Sequence, residues 1–121
     1  MNFTDVLAFK KSFSLAIHIF EISKSFPKEE KYALRDQIRR ASRSVSTTIS
    51  EAYRKRQYPK HFSSKLSDAD VENSENLTWL LFALKCNYID QKGFDTRTLE
   101  NVEVGKLINY RMHNPIKFAV I

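Results

Sequence analysis

Apolar residues recur at intervals of three and four along most of this chain, the spacing that keeps one side of an α-helix out of water. From about Asp5 to Ser25, Val6, Phe9, Phe13, Ala16, Ile17 and Phe20 make one stripe, and Leu15, Ile19, Ile22 and Phe26 make a second beside it. A helix apolar over two neighbouring faces is buried on more than one side. Thr4 or Asp5 supplies its cap, and Pro27 closes it by disfavouring helical backbone at Phe26.

A second helix is predicted from Lys28 or Glu29 to Tyr53 or Arg54, with Leu34, Ile38, Ala41, Val45, Ile49 and Ala52 facing inward. Its segment Ser42–Ser50 is poor in helix propensity, and its small side chains let a neighbouring helix come close. A third runs from Pro59 to about Asn87 on Phe62, Leu66, Ala69, Asn73, Leu77, Leu80, Leu81 and Leu84, widened by Trp79, Phe82, Ala83 and Cys86. Asn73, polar on an apolar stripe, is expected to fix register at some cost in stability. A fourth starts after Asp90 as cap and reaches about Met112, with Phe94, Leu99, Val102, Leu107, Ile108 and Met112 on its apolar side. Pro115 is expected to end all helix, and the tail Ile116–Ile121 to dock against the body or a neighbour. Four such helices with short connections predict an all-α fold: one antiparallel up-down-up-down four-helix bundle spanning residues 1–121.

Composition agrees with this. Two glycines and three prolines in 121 residues are too few for the turns an all-β fold requires. Cys86 stands alone, so no internal disulfide forms and a reducing compartment is the simplest setting. No stretch approaches the ~18 consecutive apolar residues of a membrane span, and the N-terminus lacks the layout of a signal peptide. Both point to the cytoplasm.

Charge changes the picture more. Lys28–Lys65 holds 11 of the 20 Lys and Arg residues and only four acids, a formal +7; the rest sums to −1, so the whole +6 of the chain lies in this third. Arg35, Arg39 and Arg43 share one helical face, and Arg54, Lys55, Arg56, Lys60 and His61 carry the basic run around the next turn, reaching Lys65. Tyr53, Tyr58 and Phe62 interleave with these cations and offer faces on which bases stack. Cations without local acids bind phosphates by releasing counterions. Arg35, Arg43, Arg54, Lys55, Arg56, Lys60 and Lys65 are therefore the candidate nucleic-acid contacts, RNA and DNA being left open. Arg39 and Arg40 are assigned instead to inter-helix ion pairs with Glu51 or Glu75.

Enzyme chemistry finds no footing. There is no glycine-rich phosphate loop and no His-Glu-x-x-His, and His18, His61 and His113 are scattered without convergent partners. Asp68, Asp70, Glu72 and Glu75 lack the Glu-x-x-His pairs of a bundle di-metal site. Catalysis, metal, cofactor, small-molecule substrate and membrane are all expected to be absent. The competing reading is an oligomeric scaffold whose basic face meets an acidic protein.

The run FPKEEKYALRDQIRRASRSVS (Phe26–Ser46), followed by Ile49, Glu51 and Tyr53, resembles the small four-helix-bundle proteins encoded within intervening sequences of bacterial large-subunit ribosomal RNA genes. The likeness continues through Leu66, Ala69, Glu75, Thr78, the Asn-Tyr-Ile at 87–89 and Glu103–Asn109. Ser46 stands where the family usually has proline, Ala52 and Lys55 where it has glycines, and Leu77 where glutamate is common. The accessory protein of diversity-generating retroelements is similar to this group. The resemblance implies a homopentameric barrel with a basic, nucleic-acid-binding surface. The residues themselves, through the second apolar face of the first helix and the apolar tail, support only a homo-oligomer.

Overall fold

The computed structural model describes residues 2–118. Four long helices, α1 (Leu7–Ser23), α2 (Leu34–Tyr53), α3 (Pro59–Lys85) and α4 (Gln91–His113), are followed by a single helical turn, α5 (Pro115–Phe118). Described residues contain no strand.

Both early boundaries differ from expectation. The cap belongs to a separate 3-10 turn, Phe3–Asp5: Asn2 Oδ1 accepts from the Thr4 N–H at 2.8 Å and Asp5 Oδ2 from the Asn2 N–H at 2.9 Å. Val6 then turns extended, so α1 starts at Leu7 without a side-chain cap. After Pro27, Lys28–Glu30 forms another 3-10 turn, and Ala33 (φ −115°, ψ −103°) interrupts helical backbone before α2. The reason is tertiary. The Tyr88 hydroxyl donates to Glu30 Oε2 at 2.7 Å, and the Phe26 and Tyr88 rings lie 5.6 Å apart. Glu30 thus ties the α1–α2 connection to the α3–α4 connection, and holds the Tyr88 hydroxyl as donor, its pKa pushed up to about 12.

The other ends follow the sequence. Pro59 occupies the first turn of α3. Asn87 takes a left-handed φ of 62° just past its end. The Tyr88 N–H bonds to Ala83 O at 2.8 Å and the Asn87 N–H to Leu84 O at 3.0 Å, a Schellman motif. Asp90 Oδ1 caps α4 by accepting from the Gly93 N–H at 2.7 Å. Pro115 does not end all helix: it opens α5, where its fixed φ and missing N–H cost nothing. Of the apolar tail, Phe118 packs edge-on to Tyr110 while Ile116 is 70% exposed; residues 119–121 lie outside the described residues.

α1 packs on α2 and α4, and α3 packs on the same two, which puts α1 and α3 on a diagonal. Leu15, Ile19, Ile38, Val45, Leu66, Leu80, Val104 and Ile108 fill the space between them. In α1 the inward stripe is Ala8, Ser12, Leu15, Ala16, Ile19 and Ser23. Phe13 and Ile17, placed on a core stripe by spacing, are 51% and 47% exposed. Small residues lie between α1 and α2: the buried Ser12 and Ser46 hydroxyls meet at 3.0 Å. Across α3 and α4, Asn73 and Asn101 are buried and each donates its side-chain amide to the other's backbone carbonyl, both at 3.0 Å.

Candidate nucleic-acid interface

The basic run is carried by two structural pieces that behave differently. Along α2, Arg35, Arg39 and Arg43 line the side that meets α1. The Arg39 Nε donates to Ser23 Oγ at 2.7 Å, and its guanidinium lies 4.5 Å from the centre of the Phe20 ring. Arg43 and Lys24 approach the same ring at 5.7 and 4.9 Å. Burial lowers the Arg39 pKa, and repulsion from Arg35 and Arg43 lowers it further against a weaker pull from Asp36. These cations are held by an aromatic face and a hydroxyl. Arg40 turns outward and meets Asp36 at 3.4 Å on its own helix.

Neither arginine takes the partner assigned to it. Among the described residues Arg39 and Arg40 pair with neither Glu51 nor Glu75. Glu51 is taken by Lys65, whose Nζ lies 2.7 Å from Glu51 Oε2; the hydrogen bond and the carboxylate charge raise the Lys65 pKa. Glu75 is exposed.

At the α2–α3 junction the cations are more open. Arg54, Lys55 and Lys60 are exposed, and no carboxylate pairs with them among the described residues. Arg56 is partly ordered: its Nε donates to Tyr53 O at 2.9 Å, and its guanidinium lies 3.6 Å over the Tyr53 ring. Of the three candidate stacking aromatics, Tyr53 and Phe62 are buried in the core, while Tyr58 is 54% exposed and sets its ring edge-on to His61. The structure therefore gathers Arg54, Lys55, Tyr58, Lys60 and His61 at one end of the molecule, with Arg56 beside them. It separates Arg35 and Arg43 onto the α1–α2 side and engages Lys65 in an ion pair.

Two features escaped sequence reasoning. Arg111 and Lys117, distant in sequence, come beside Arg56 around a cavity of about 340 Å³. Their only sequence signal was a basic last turn in α4 followed by a lysine. The second is a groove of about 500 Å³ between α1 and α2, floored by Phe13, Ala16, Ile17 and Phe20 and edged by Arg43. Its signal was the apolar width of α1. Among the described residues no group of three or more His, Cys, Asp or Glu is arranged to hold a metal ion, and no helix is long and apolar enough to cross a membrane.

The family model for 23S rRNA-intervening sequence proteins matches residues 4–110, from the first 3-10 turn almost to the end of α4. The chain belongs to this family. A crystallised protein of unknown function from the S23 ribosomal protein family of Bacteroides thetaiotaomicron VPI-5482 is similar in fold, with a TM-score of 0.81, 26% identity, and coverage of 91% of this chain and 98% of that one. A search among curated proteins found no match. No enzymatic family is indicated for this intervening-sequence protein.

Proposed function

We propose that this intervening-sequence protein is a non-enzymatic, homo-oligomeric nucleic-acid-binding bundle of the cytoplasm, contacting phosphates through the basic surface at the α2–α3 junction and along α2. The observation that carries this reading is the junction itself. Arg54, Lys55 and Lys60 are exposed to solvent with no carboxylate paired to them among the described residues, while Arg40 and Lys65 are drawn to Asp36 and Glu51. Free cations beside an exposed Tyr58 suit a sequence-indifferent contact with phosphates and one stacked base.

A single antiparallel up-down-up-down domain is the arrangement in which these pieces cohere. In support, residue pairs across neighbouring helices run in opposite sequence directions: Ser12 with Ser46 and Ser23 with Arg39, Asp70 with Asn109 and Ser63 with Met112, Lys11 with Glu103 and His18 with Glu100. Homo-oligomerisation is supported by the exposed Phe13 and Ile17 of α1; the number five rests on the resemblance. A ring repeats the junction patch, and repeated weak contacts on one strand act at high effective concentration.

The test is direct. Arg54→Glu, Lys55→Glu and Lys60→Glu combined should abolish binding to single-stranded RNA and DNA while leaving the circular dichroism melt and the oligomer mass unchanged. Arg56 is left intact because it caps α2. Undiminished binding by this variant overturns the reading. The alternative, a scaffold for an acidic protein, is favoured by the α1–α2 groove, where Arg39, Arg43 and Lys24 surround the Phe20 ring beside apolar surface. It predicts that the triple variant keeps its protein partner and that wild type ignores nucleic acid.

A further inference from the structure

At the end of the molecule where α2 finishes and α4 runs into α5, three cations converge on one cavity of about 340 Å³: Arg56, Arg111 and Lys117. Each is held in place by neutral groups. Arg56 bonds to the Tyr53 carbonyl at 2.9 Å and stacks on the Tyr53 ring. The Arg111 guanidinium lies 4.2 Å over the Phe118 ring. Lys117 Nζ donates to the Tyr110 hydroxyl at 3.0 Å. Asp5 lines the same cavity, but its Oδ2 already accepts from the Asn2 N–H at 2.9 Å. Among the described residues no carboxylate pairs with any of the three cations.

Arg111 decides the meaning of this cluster. Surface arginines satisfy themselves in water, yet Arg111 is only partly exposed and burial lowers its pKa. A guanidinium withdrawn from water without a countercharge costs free energy that an anion would recover. Among the described residues that line the cavity, three cations against one carboxylate leave +2. A phosphomonoester, with roughly −1.5 to −2 at neutral pH and three acceptor oxygens, balances that charge; an internal phosphodiester carries only −1 and must thread through. The aromatic rings of Tyr53 and Phe118 supply apolar wall for whatever the phosphate is attached to.

We propose that this cavity is a phosphomonoester site, formed by Arg56, Arg111 and Lys117, that seats the terminal phosphate of a nucleic-acid strand. The strand rests on the function proposed above; the phosphate site rests on the geometry alone. The site adjoins the junction patch through Arg56, whose neighbours Arg54 and Gln57 line the adjoining hollow with Tyr53. A strand held there by its end is placed to run across Lys55 and Lys60.

The experiment uses the full chain and three oligonucleotides of one sequence, labelled internally: one with a 5′-phosphate, one with a 3′-phosphate, one with neither. Fluorescence anisotropy should show at least one phosphorylated strand binding about tenfold tighter than the unphosphorylated one, the scale of one or two charge-assisted hydrogen bonds. Arg111→Met and, separately, Lys117→Met should shrink that ratio toward one; Arg111→Lys should keep part of it. In parallel, inorganic phosphate should raise the melting temperature of wild type more than an equal ionic strength of chloride, and less so in Arg111→Met. A phosphate response without any strand binding supports the site and removes the nucleic-acid reading. Equal binding of all three strands together with no specific phosphate response overturns the site. Two single substitutions on different elements keep the test valid if one of them destabilises the fold.

Discussion

Glu72 lies between α3 and α2, and burial raises its carboxyl pKa. The Thr48 hydroxyl bond opposes that rise, Asp68 and Glu75 add to it, and Lys65 draws it back. The sign follows from linkage: the folded chain takes up this proton more readily than the unfolded one, so Glu72 costs stability once it ionises. Its contribution is therefore best below the ordinary carboxylate value and declines as pH rises from there through the raised value. Urea melts of wild type and Glu72→Gln should show the variant gaining on wild type as pH is raised from about 4 to 7; a constant difference would contradict it. The Asn73–Asn101 pair is the opposite case, two buried amides that satisfy each other's carbonyls. Asn101→Leu leaves the Asn73 amide its bond to the residue-101 carbonyl but removes the donor to the buried Asn73 Oδ1, which Asn101 Nδ2 meets at 3.1 Å, and should cost about 1–3 kcal/mol in the same melts. Asn73 was visible in the sequence as a polar interruption of an apolar stripe. Its partner was not, because only the relative register of α3 and α4 brings Asn101 opposite it. The same holds at the site. The cations could be counted from the sequence, but Arg39 meeting Ser23 and Lys65 meeting Glu51 are settled by how the helices slide against one another.

Among the elements, α3 has the most local definition. Its end depends on Asn87 at φ 62°, a conformation that asparagine and glycine tolerate and β-branched residues resist. Asn87→Val should lower the stability by about 1–2 kcal/mol and Asn87→Gly should be nearly neutral, both read from denaturant midpoints. In α2, Ile38 is fully buried, and Ile38→Ala should cost about 2–5 kcal/mol as a cavity. The long helices were legible because periodicity and caps are local properties: Pro59 and Asp90 mark the starts of α3 and α4 in the sequence as they do in the fold. The start of α2 was not. Glu30 looks like ordinary first-turn acid until Tyr88 is known to claim it, and that contact spans the whole of α2 and α3. The inward face of α1 was ambiguous for another reason. Both stripes are apolar, and small residues, Ala8, Ser12 and Ser23, decide which one can approach α2 and α4. Ser46 extends this logic. Where the resembled proteins usually carry a proline, α2 here runs unbroken and its serine meets Ser12 across the interface.

For the molecule as a whole, one side is apolar and rimmed by cations, and at one end Arg54, Lys55 and Lys60 stand exposed with no carboxylate paired to them among the described residues. The first property bears on assembly. Phe13→Ser with Ile17→Ser removes exposed apolar surface from α1 without touching the core stripe; if the proposed self-association uses this face, light scattering should report a smaller species than wild type with an unchanged helical spectrum, and an unchanged mass would contradict a role for this face in assembly. The second property bears on function, and the salt dependence of binding tests it most directly. If Arg54, Lys55 and Lys60 neutralise phosphates, the logarithm of the association constant for single-stranded RNA must fall linearly with the logarithm of salt concentration, about 0.7 for each phosphate contacted. Reversing the three to glutamate should flatten that slope by roughly 2 per copy of the patch engaged. A slope near zero in wild type, or one that the reversal leaves unaltered, would contradict the account.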